Sequence, residues 1–441
     1  MRKVKCICER RRETIMQDLD KFILENNIHT VEVGFADING VFRGKRLPSR
    51  HFLKIAESGT GLAKAPFAWD IQCGVYDDIE LANFNNGFPD MTAKPLLDTL
   101  RKIPWREGSA VVLAELVDEH GQLLEVNPRE VLKRVLKRYA DLGYRPLVGS
   151  ELEFYLFDSE RKPVFKGIQC YSLYRGAELE HVIQEMRNGL EGLGIELEAF
   201  HIEYGPGQVE AIPEYDDALD MADKTVLIKN SIKEIARKHG LFASFMPKPW
   251  PGESGNGFHV HQSLWDLDLK QNFFQTDKAL AESYLAGLLK HARDLVALGS
   301  PTINDYKRFQ PNSFAPTNVT WDHDNRTVTT RSLLGPGNGS RFEQRSGSAA
   351  ANPYLIIAAS LASGLNGIEN KLLPPERLDK ESVQFPRTLD SALDYFEASK
   401  LAQEYFGEAF VKLFVTLGRH EVELYQSAVT DWEWDRYFEI I

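Results

Sequence analysis

The chain has 441 residues, more than one hydrophobic core ordinarily holds, so two domains are expected. Its 43% hydrophobic and 26% charged residues are typical of a soluble globular protein, and a net charge of −12 argues against nucleic acid or an anionic membrane as a partner. No apolar run approaches the roughly 20 residues of a membrane span, and the amino-terminal segment lacks an apolar signal core, so we expect a cytoplasmic protein.

The first part of the chain has the pattern of a small α+β domain. Residues 1–15 are basic and polar, which predicts a disordered tail. A helix is predicted from about Ile15 to Asn26, and Asn39-Gly40 between two alternating stretches predicts a β-hairpin. A further strand is predicted at 108–117. Residues 16–118 therefore indicate a domain built on an antiparallel or mixed sheet.

The four cysteines do not indicate a disulfide framework. Cys6, Cys8, Cys73 and Cys170 are few and scattered, and Cys6-x-Cys8 lacks a second pair at zinc-finger spacing. We expect four reduced thiols with no role.

Residues 119–441 are predicted to alternate helices with short strands. A helix begins at Asn127-Pro128 and ends near Leu142, with Gly143 as its carboxyl-terminal cap. Further helices are predicted at about 178–192, 216–239, 277–298, 349–369 and 389–418.

An acidic strand follows the first of these helices. In the segment 149–157, aromatic and aliphatic residues alternate with Glu151 and Glu153, so both carboxylates point to one face. Two neighbouring carboxylates on so apolar a strand repel each other if buried. Either a divalent cation lies between them, or this is an edge strand with a solvated acidic face.

Three later segments repeat this mixture of charge and strand periodicity. They are His201-Ile-Glu203-Tyr-Gly-Pro-Gly-Gln208-Val-Glu210, the glycine-rich stretch from Lys248 to His259-Val-His261-Gln-Ser263, and Arg341-Phe-Glu343-Gln-Arg345. Each alone has a structural explanation, such as a surface salt-bridge ladder. Together with the acidic strand they supply carboxylate and imidazole ligands for two hard divalent ions.

Arginines accompany these ligands. They are Arg308, Arg326, Arg331, Arg341 and Arg345. Arginine suits bidentate binding of carboxylate and phosphate, and two metals with several arginines are the apparatus of phosphoryl transfer. The sequence contains neither a Walker motif nor a kinase signature.

Together these segments resemble the glutamine synthetase family from about residue 20 to the end. The shared motifs, in chain order, are 37–45, 149–154, 203–210, 248–263, 306–308, 325–326, 341–345 and 351–354. The Glu203-Tyr-Gly-Pro-Gly-Gln form and Ile103-Pro-Trp105 look most like the branch that joins glutamate to organic amines, such as γ-glutamylpolyamine synthetases. The resemblance implies an α+β fold, with a β-grasp-like domain (16–118) and a catalytic domain (119–441) of curved antiparallel sheet and flanking helices.

The resemblance also implies a role for each site residue. Glu153, Glu203 and Glu210 would hold one Mg²⁺ or Mn²⁺, and Glu151, His259 and Glu343 the other; His261, Ser263, Arg326, Arg331 and Arg341 would bind ATP; Gly255, Ser254, Arg308 and Arg345 would bind glutamate. Of these, Arg326, Glu153 and Arg308 are the expected catalytic residues. The implied reaction passes through a γ-glutamyl phosphate, which an amine then attacks.

Three departures from ammonia-using members bear on the substrates. Those members have a glutamate just before Ala-Pro in the loop after Tyr306-Lys-Arg308, where this chain has Phe314, and an aspartate-containing run near Trp69 that is missing here. Phe314, with Trp69, would favour an amine bearing an apolar group. Ser254 stands where asparagine is usual, which leaves open a close analogue of glutamate.

Three functions therefore remain open: a glutamate–amine ligase, which the departures favour, an ammonia-using glutamine synthetase, and a non-catalytic assembly protein. For the assembly we expect a single hexameric ring with active sites between subunits. A stacked dodecamer is the second choice. The segment 369–376 lacks a tyrosine for adenylylation, so that control is not expected.

Overall fold

The computed structural model describes residues 16–441. The predictions for residues 1–15, including Cys6, Cys8 and the start of the first helix at Ile15, lie outside the described residues. Cys73 and Cys170 are free thiols.

A six-stranded mixed sheet forms the amino-terminal part. Its strands are β1 (Thr30–Ala36), β2 (Phe42–Pro48), β3 (Thr60–Ala63), β4 (Asp90–Pro95), β5 (Arg101–Lys102) and β6 (Ser109–Val117). Their order is β2-β1-β6-β4-β3, with β5 beside β6. The predicted hairpin is confirmed: β1 and β2 are antiparallel, and Asp37 Oδ1 accepts hydrogen bonds of 2.9 Å from the backbone N–H groups of Asn39 and Val41. β1 and β6 run parallel, so the sheet is mixed.

A nine-stranded sheet organises the rest of the chain. Its strands are β7 (Tyr144–Phe157), β8 (Leu197–Ile202), β9 (Gln208–Pro213), β10 (Asp216–Asp217), β11 (Phe242–Ser244), β12 (Phe258–Asp266), β13 (Trp321–His323), β14 (Thr330–Leu333) and β15 (Arg341–Gln344). Their order is β13-β14-β15-β12-β7-β9-β8, with β10 and β11 also paired to β7. Every pairing is antiparallel except that of β13 with β14.

Fourteen helices lie within the described residues. They are α1 (16–25), α2 (Ser49–Ile55), α3 (Pro128–Asp141), α4 (Leu173–Glu178), α5 (Glu180–Gly192), α6 (Ala218–Lys238), α7 (Phe273–Thr276), α8 (Lys278–His291), α9 (Val296–Gly299), α10 (Pro353–Glu369), α11 (Leu389–Ala398), α12 (Lys400–Phe406), α13 (Glu408–Ser427) and α14 (Asp431–Tyr437). Short 3-10 turns occur at Ala65–Phe67, Leu97–Thr99 and Asp305–Lys307.

The carboxyl-terminal helices differ from the prediction. The single helix predicted at 389–418 is wrong, since the chain there forms α11, α12 and α13. Ser399 caps α12 by accepting from the N–H of Ala402, and Gly407 has a φ of 85°, so each interrupts the helix. The helix predicted at 277–298 is likewise divided into α8 and α9.

Apolar packing fixes one face of the large sheet. Leu152 and Phe154 of β7 are buried, and α3 and α6 pack against this strand. Burying a phenylalanine side chain contributes about 1.5–3 kcal/mol. Glu151 and Glu153 alternate with these residues and are therefore on the opposite face. That face carries the charged residues predicted for the site.

Helices α8 and α10 approach each other through glycine. A Cβ at Gly287 would lie 2.1 Å from the backbone oxygen of Ser363, so only glycine allows this contact. α10 is almost entirely buried. Among residues 16–441 none of the helices combines the length and apolarity needed to cross a membrane.

The two sheets are joined where the β1–β2 turn meets α10. The Asn352 side chain caps α10 through the N–H of Tyr354 and donates a 2.8 Å hydrogen bond to the backbone oxygen of Asp37. A second contact joins the loop between β5 and β6 to α6, where Trp105 Nε1 donates a 2.9 Å hydrogen bond to Glu234 Oε2.

Candidate active site

Strand register brings the predicted ligands together. Across β7 and β12, Glu151 pairs with His259. Across β12 and β15, His261 pairs with Glu343. On the other side of β7, Glu153 lies opposite Glu210 of β9. The four segments singled out from the sequence therefore converge on one face of the large sheet.

The first cluster is formed by Glu151, His259, His261 and Glu343. His259 Nδ1 lies 3.1 Å from Glu151 Oε2 and 3.6 Å from Glu343 Oε1. His261 Nε2 lies 2.8 Å from Glu151 Oε1 and 3.9 Å from Glu343 Oε1. Burial opposes ionisation of Glu151, but the two histidines lower the pKa of its carboxyl well below the usual range. The cluster therefore presents ionised oxygens beside imidazole nitrogens, a donor set that suits a divalent cation.

Two arginines hold Glu343. Its carboxylate is fully buried, accepts a 3.1 Å hydrogen bond from Arg331 Nη1, and is paired with Arg345 Nη1. Burial raises its pKa, but His259 and Arg345 outweigh that effect, so the net shift is downward. Glu343 is thus kept charged and fixed in position.

The second cluster is formed by Glu203 and Glu210 around His201, with Glu153 beside them. His201 Nε2 lies 3.1 Å from Glu203 Oε1 and 3.0 Å from Glu210 Oε2. Burial alone would lower the pKa of His201. The two carboxylates have the larger effect and raise it to about 10. His201 had no role among the predicted site residues, although its position two residues before Glu203 could have identified it.

Glu153 is half-buried among like charges. Its Oε2 accepts hydrogen bonds from the Gly257 N–H at 2.6 Å and from Gln208 Nε2 at 3.2 Å. Burial, followed by the charge of Glu203, raises the pKa of Glu153 to about 7. Burial also raises the pKa of Glu210 to about 7, and neighbouring carboxylates add to this shift. A divalent cation would remove this repulsion, so the second cluster also fits a metal ion.

A cavity of about 420 Å³ adjoins the first cluster. His261, Ser263 and Arg341, three of the residues predicted to bind ATP, all line it. Arg341 Nε donates to His261 Nδ1 at 3.0 Å. Tyr215 also lines it and is 60% exposed, a residue that the sequence analysis missed.

The other two predicted ATP ligands lie elsewhere. Arg331 is bonded to Asp324 and Glu343, and Arg326 is exposed, with its backbone oxygen accepting a 3.1 Å hydrogen bond from Arg345 Nε. Neither lines the 420 Å³ cavity.

A smaller pocket contains the predicted glutamate-binding residues. Its lining includes Glu153, Ser254, Gly255, His259, Arg308, Phe314 and Arg345. Arg308 is 4% exposed, and burial lowers its pKa. A Cβ at Gly255 would lie 2.7 Å from Arg308 Cγ and from the Pro247 backbone oxygen, so glycine permits this close approach. Ser254 contributes its backbone oxygen, which accepts a 2.7 Å hydrogen bond from Tyr155.

Phe314 stands at the mouth of this pocket. Its side chain is 51% exposed and meets Tyr204 edge to face, with ring centroids 5.9 Å apart. Its φ of 58° is unusual for a non-glycine residue and marks a conformation imposed by the surrounding loop.

Trp69, predicted to share the amine pocket with Phe314, is not brought to it within one chain. It lies in the amino-terminal part of the chain, where the Arg43 guanidinium is 5.1 Å from the centre of its ring. Its indole N–H is buried and has no hydrogen-bond partner among the described residues. Its predicted role beside Phe314 stays a prediction.

Comparison with known proteins identifies the family. The sequence profile of the glutamine synthetase catalytic domain matches residues 125–437. The chain belongs to the glutamine synthetase family. Enzymes of this family use ATP, glutamate and divalent metal ions.

Two relatives of this chain are named as ligases that use an organic amine. A glutamate–isopropylamine ligase of a Pseudomonas species is 38% identical over 445 aligned residues, covering 95% of this chain and 97% of the relative. A γ-glutamylethanolamide synthetase of Streptomyces coelicolor is 35% identical and covers 96% of both chains. The ligand-free structure of GmaS superposes with a TM-score of 0.85 at 31% identity, covering 94% of this chain and 98% of that one.

These findings confirm the predicted family, its fold class and its enzyme class. The glutamine synthetase-like fold extends over nearly the whole chain, with both sheets and their flanking helices. The chain is a ligase of this family, and its relatives match the predicted amine-ligase branch.

Proposed function

We propose that the chain is an ATP-dependent ligase that joins the γ-carboxyl of glutamate, or of a close analogue, to an organic primary amine. The observation that carries this proposal is Phe314, a half-exposed aromatic ring lining the same pocket as Arg308 and Arg345. The names of two full-length relatives, which specify isopropylamine and ethanolamide, support it.

Two Mg²⁺ or Mn²⁺ ions would be held by the two clusters. Glu151, His259 and Glu343 are the proposed ligands of one, and Glu153, Glu203 and Glu210 of the other. When bound, the ions would neutralise phosphate oxygens during transfer. His201 would fix the carboxylates of Glu203 and Glu210. The raised pKa values of Glu153 and Glu210 support a site that favours added positive charge.

ATP would occupy the 420 Å³ cavity. His261, Ser263 and Arg341 would contact it, and the exposed ring of Tyr215 offers a stacking surface for the base. A structure of GmaS with ADP, which has a TM-score of 0.85 to this chain, supports a nucleotide site in this fold. Arg331 would act beside the phosphates through its contact with Glu343, and Arg326 would need to turn inwards to reach them.

Glutamate would lie in the smaller pocket. Arg308 and Arg345 provide buried guanidinium groups for its carboxylates. The Gly255 backbone and Ser254 would contact its amino-acid portion. In this position the γ-carboxylate would lie near Glu153, which lines the same pocket.

The reaction would then proceed in two steps. A γ-carboxylate oxygen attacks the terminal phosphorus of ATP, the bond to the bridging oxygen breaks, and ADP leaves. The amine nitrogen next attacks the acyl carbon, inorganic phosphate leaves, and the nitrogen loses a proton. Arg308, Glu153 and, once turned inwards, Arg326 would stabilise the charges that develop in these steps. Charge is most effective where the site holds it in position and excludes water.

Phe314 would select the amine. A strongly hydrated ammonium ion needs polar ligands, whereas a phenyl ring gives an apolar substituent a surface to cover. Tyr204, in edge contact with Phe314, would extend that surface.

For the assembly we propose a hexameric ring with active sites at subunit interfaces, with a stacked dodecamer as the alternative. Trp69 would then reach an amine pocket only from a neighbouring subunit. Native mass spectrometry of the purified protein distinguishes six from twelve subunits, and a stable monomer with full activity contradicts the proposal.

The function is tested with a panel of amines. Purified protein is incubated with ATP, glutamate and Mg²⁺ or Mn²⁺, together with ammonia, ethanolamine, isopropylamine or a longer amine. Phosphate release and the mass of the amide product are measured. We expect an organic amine to give the highest kcat/KM. Ammonia as the best acceptor would instead establish a glutamine synthetase, and no amide with any amine would refute ligase activity.

A further inference from the structure

A second cavity, of about 700 Å³, lies between the β1–β2 turn and the carboxyl-terminal domain. Its walls are largely apolar, with contributions from Phe42, Phe245, Leu393, Phe414 and Leu417. It shares no lining residue with the two pockets of the active site. The reaction proposed above therefore gives it no role.

Two lysines of α6 line this cavity on one side. Lys229 and Lys233 are one helical turn apart, and their ammonium groups lie 5.7 and 5.5 Å from the centre of the Phe245 ring. Lys229 is 8% exposed and donates a 3.1 Å hydrogen bond to the Ala351 backbone oxygen. Burial, followed by the charge of Lys233, lowers the pKa of Lys229 to about 7.

Neither lysine is paired with a carboxylate within residues 16–441. Lys238, at the end of the same helix, is paired with Glu185. Two carboxylates, Asp70 and Glu421, also line the cavity, but neither forms an ion pair with these lysines in the described part of the chain. Asp70 instead accepts hydrogen bonds from two backbone N–H groups and from the Tyr76 hydroxyl.

This arrangement is costly without a ligand. A buried ammonium group loses hydration, and a second ammonium nearby adds repulsion. The Ala351 carbonyl, the face of Phe245 and the charge of Asp305 compensate only partly, since the pKa of Lys229 still lies at about 7. An anion between the two lysines would supply further negative charge.

We propose that this cavity binds a small organic anion, a carboxylate with an apolar body. The carboxylate would lie between Lys229 and Lys233, and the apolar body would pack along Phe245, Leu393 and Phe414. Charge-assisted hydrogen bonds would provide specificity for the anion, and the burial of hydrocarbon would provide much of the affinity.

Octanoate is a suitable probe, with octanamide as its uncharged match. Each is titrated calorimetrically into the full chain in the presence of Mg²⁺ and ADP, which occupy the proposed catalytic site. We expect one octanoate per chain and binding of octanamide about tenfold weaker or less. Lys229→Met and Lys233→Met should each weaken octanoate binding about tenfold. Lys238→Met on the same helix is the matched control and should leave it unchanged.

A variant that fills the cavity separates loss of charge from loss of space. Ala243 lines the cavity, so Ala243→Phe should abolish octanoate binding while both lysines remain. Circular dichroism and turnover with the best amine show whether each variant folds. The proposal is overturned if octanoate does not bind, if octanamide binds equally well, or if well-folded Lys233→Met and Ala243→Phe proteins bind octanoate like the unmodified chain.

Discussion

Removing the ring of Phe314 tests the proposed selection of the amine. In Phe314→Ala the mouth of the glutamate pocket loses an aromatic surface that is 51% exposed. Full burial of phenylalanine contributes about 1.5–3 kcal/mol, so covering the exposed half contributes about 0.8–1.5 kcal/mol. The substituent of isopropylamine would bury about one further CH₂ equivalent against the ring, worth about 0.8 kcal/mol.

The loss of both contributions is about 1.5–2.5 kcal/mol of transition-state stabilisation. We therefore expect kcat/KM for isopropylamine to fall about 10- to 70-fold, while that for ammonia changes less than about threefold because ammonia has no substituent to bury. The assay couples ADP release to NADH oxidation at saturating ATP and glutamate, with each amine varied in turn.

Two further variants sharpen this comparison. Phe84→Ala is the matched control, since Phe84 is an exposed phenylalanine, 74% accessible, in edge contact with Phe88 at 5.1 Å. Phe314→Gly removes the same ring but suits the positive φ, so it should show the same loss of selectivity with a small gain in stability. Equal losses for ammonia and isopropylamine in Phe314→Ala would refute the reasoning, because the ring would then support the site without contacting the amine.

Three further predictions concern the carboxylates and the same loop. Phe314→Glu should raise kcat/KM for ammonia relative to isopropylamine by about tenfold or more, because a carboxylate can bind ammonium; an unchanged ratio contradicts this. Glu153→Gln should abolish turnover yet raise the melting temperature of the metal-free protein at pH 8, because the Glu153 carboxylate is ionised there. Glu160 is exposed, and Glu160→Gln should change neither turnover nor melting temperature. The pKa values of Glu153 and Glu210 are about 7 in the folded chain, against 4.5 for an ordinary glutamate. Between pH 4.5 and 7 the folded state therefore binds more protons than the unfolded state, and its stability falls as the pH rises through this range. Mg²⁺ or Mn²⁺ should therefore raise the melting temperature more at pH 8 than at pH 5.5 in differential scanning fluorimetry, and equal shifts would show that these groups are not at the metal sites.

Local strand periodicity explains why much of the site could be predicted. Side chains two residues apart share a face whatever the strand's neighbours are, so Glu151 and Glu153 could be placed opposite Leu152 and Phe154 from the sequence. The hairpin around Gly40 was equally local, since its turn depends on a few adjacent residues. The glutamine synthetase family and fold class were predicted from ordered motifs and are confirmed.

The breaks between the last helices were missed although their signals were local. Ser399 and Gly407 are ordinary helix-ending residues, but apolar periodicity continues across both, and it favoured one long helix. Whether Trp69 meets Phe314 could not be read from the sequence either, because no local pattern relates its loop to that of Phe314.

By itself the sequence determined which side chains could serve as ligands, on which strand faces they lie, and that an aromatic residue replaces a carboxylate at Phe314. Only the tertiary structure decided which of them meet. The register of β7 against β9 and β12, and of β8 against β9, places His201 between Glu203 and Glu210 and His261 beside Glu151. The tertiary structure also decided that Lys229 and Lys233 of α6 line a cavity. The physical reason is that periodicity follows from backbone geometry within one strand or helix, whereas register and cavities depend on how distant segments pack together.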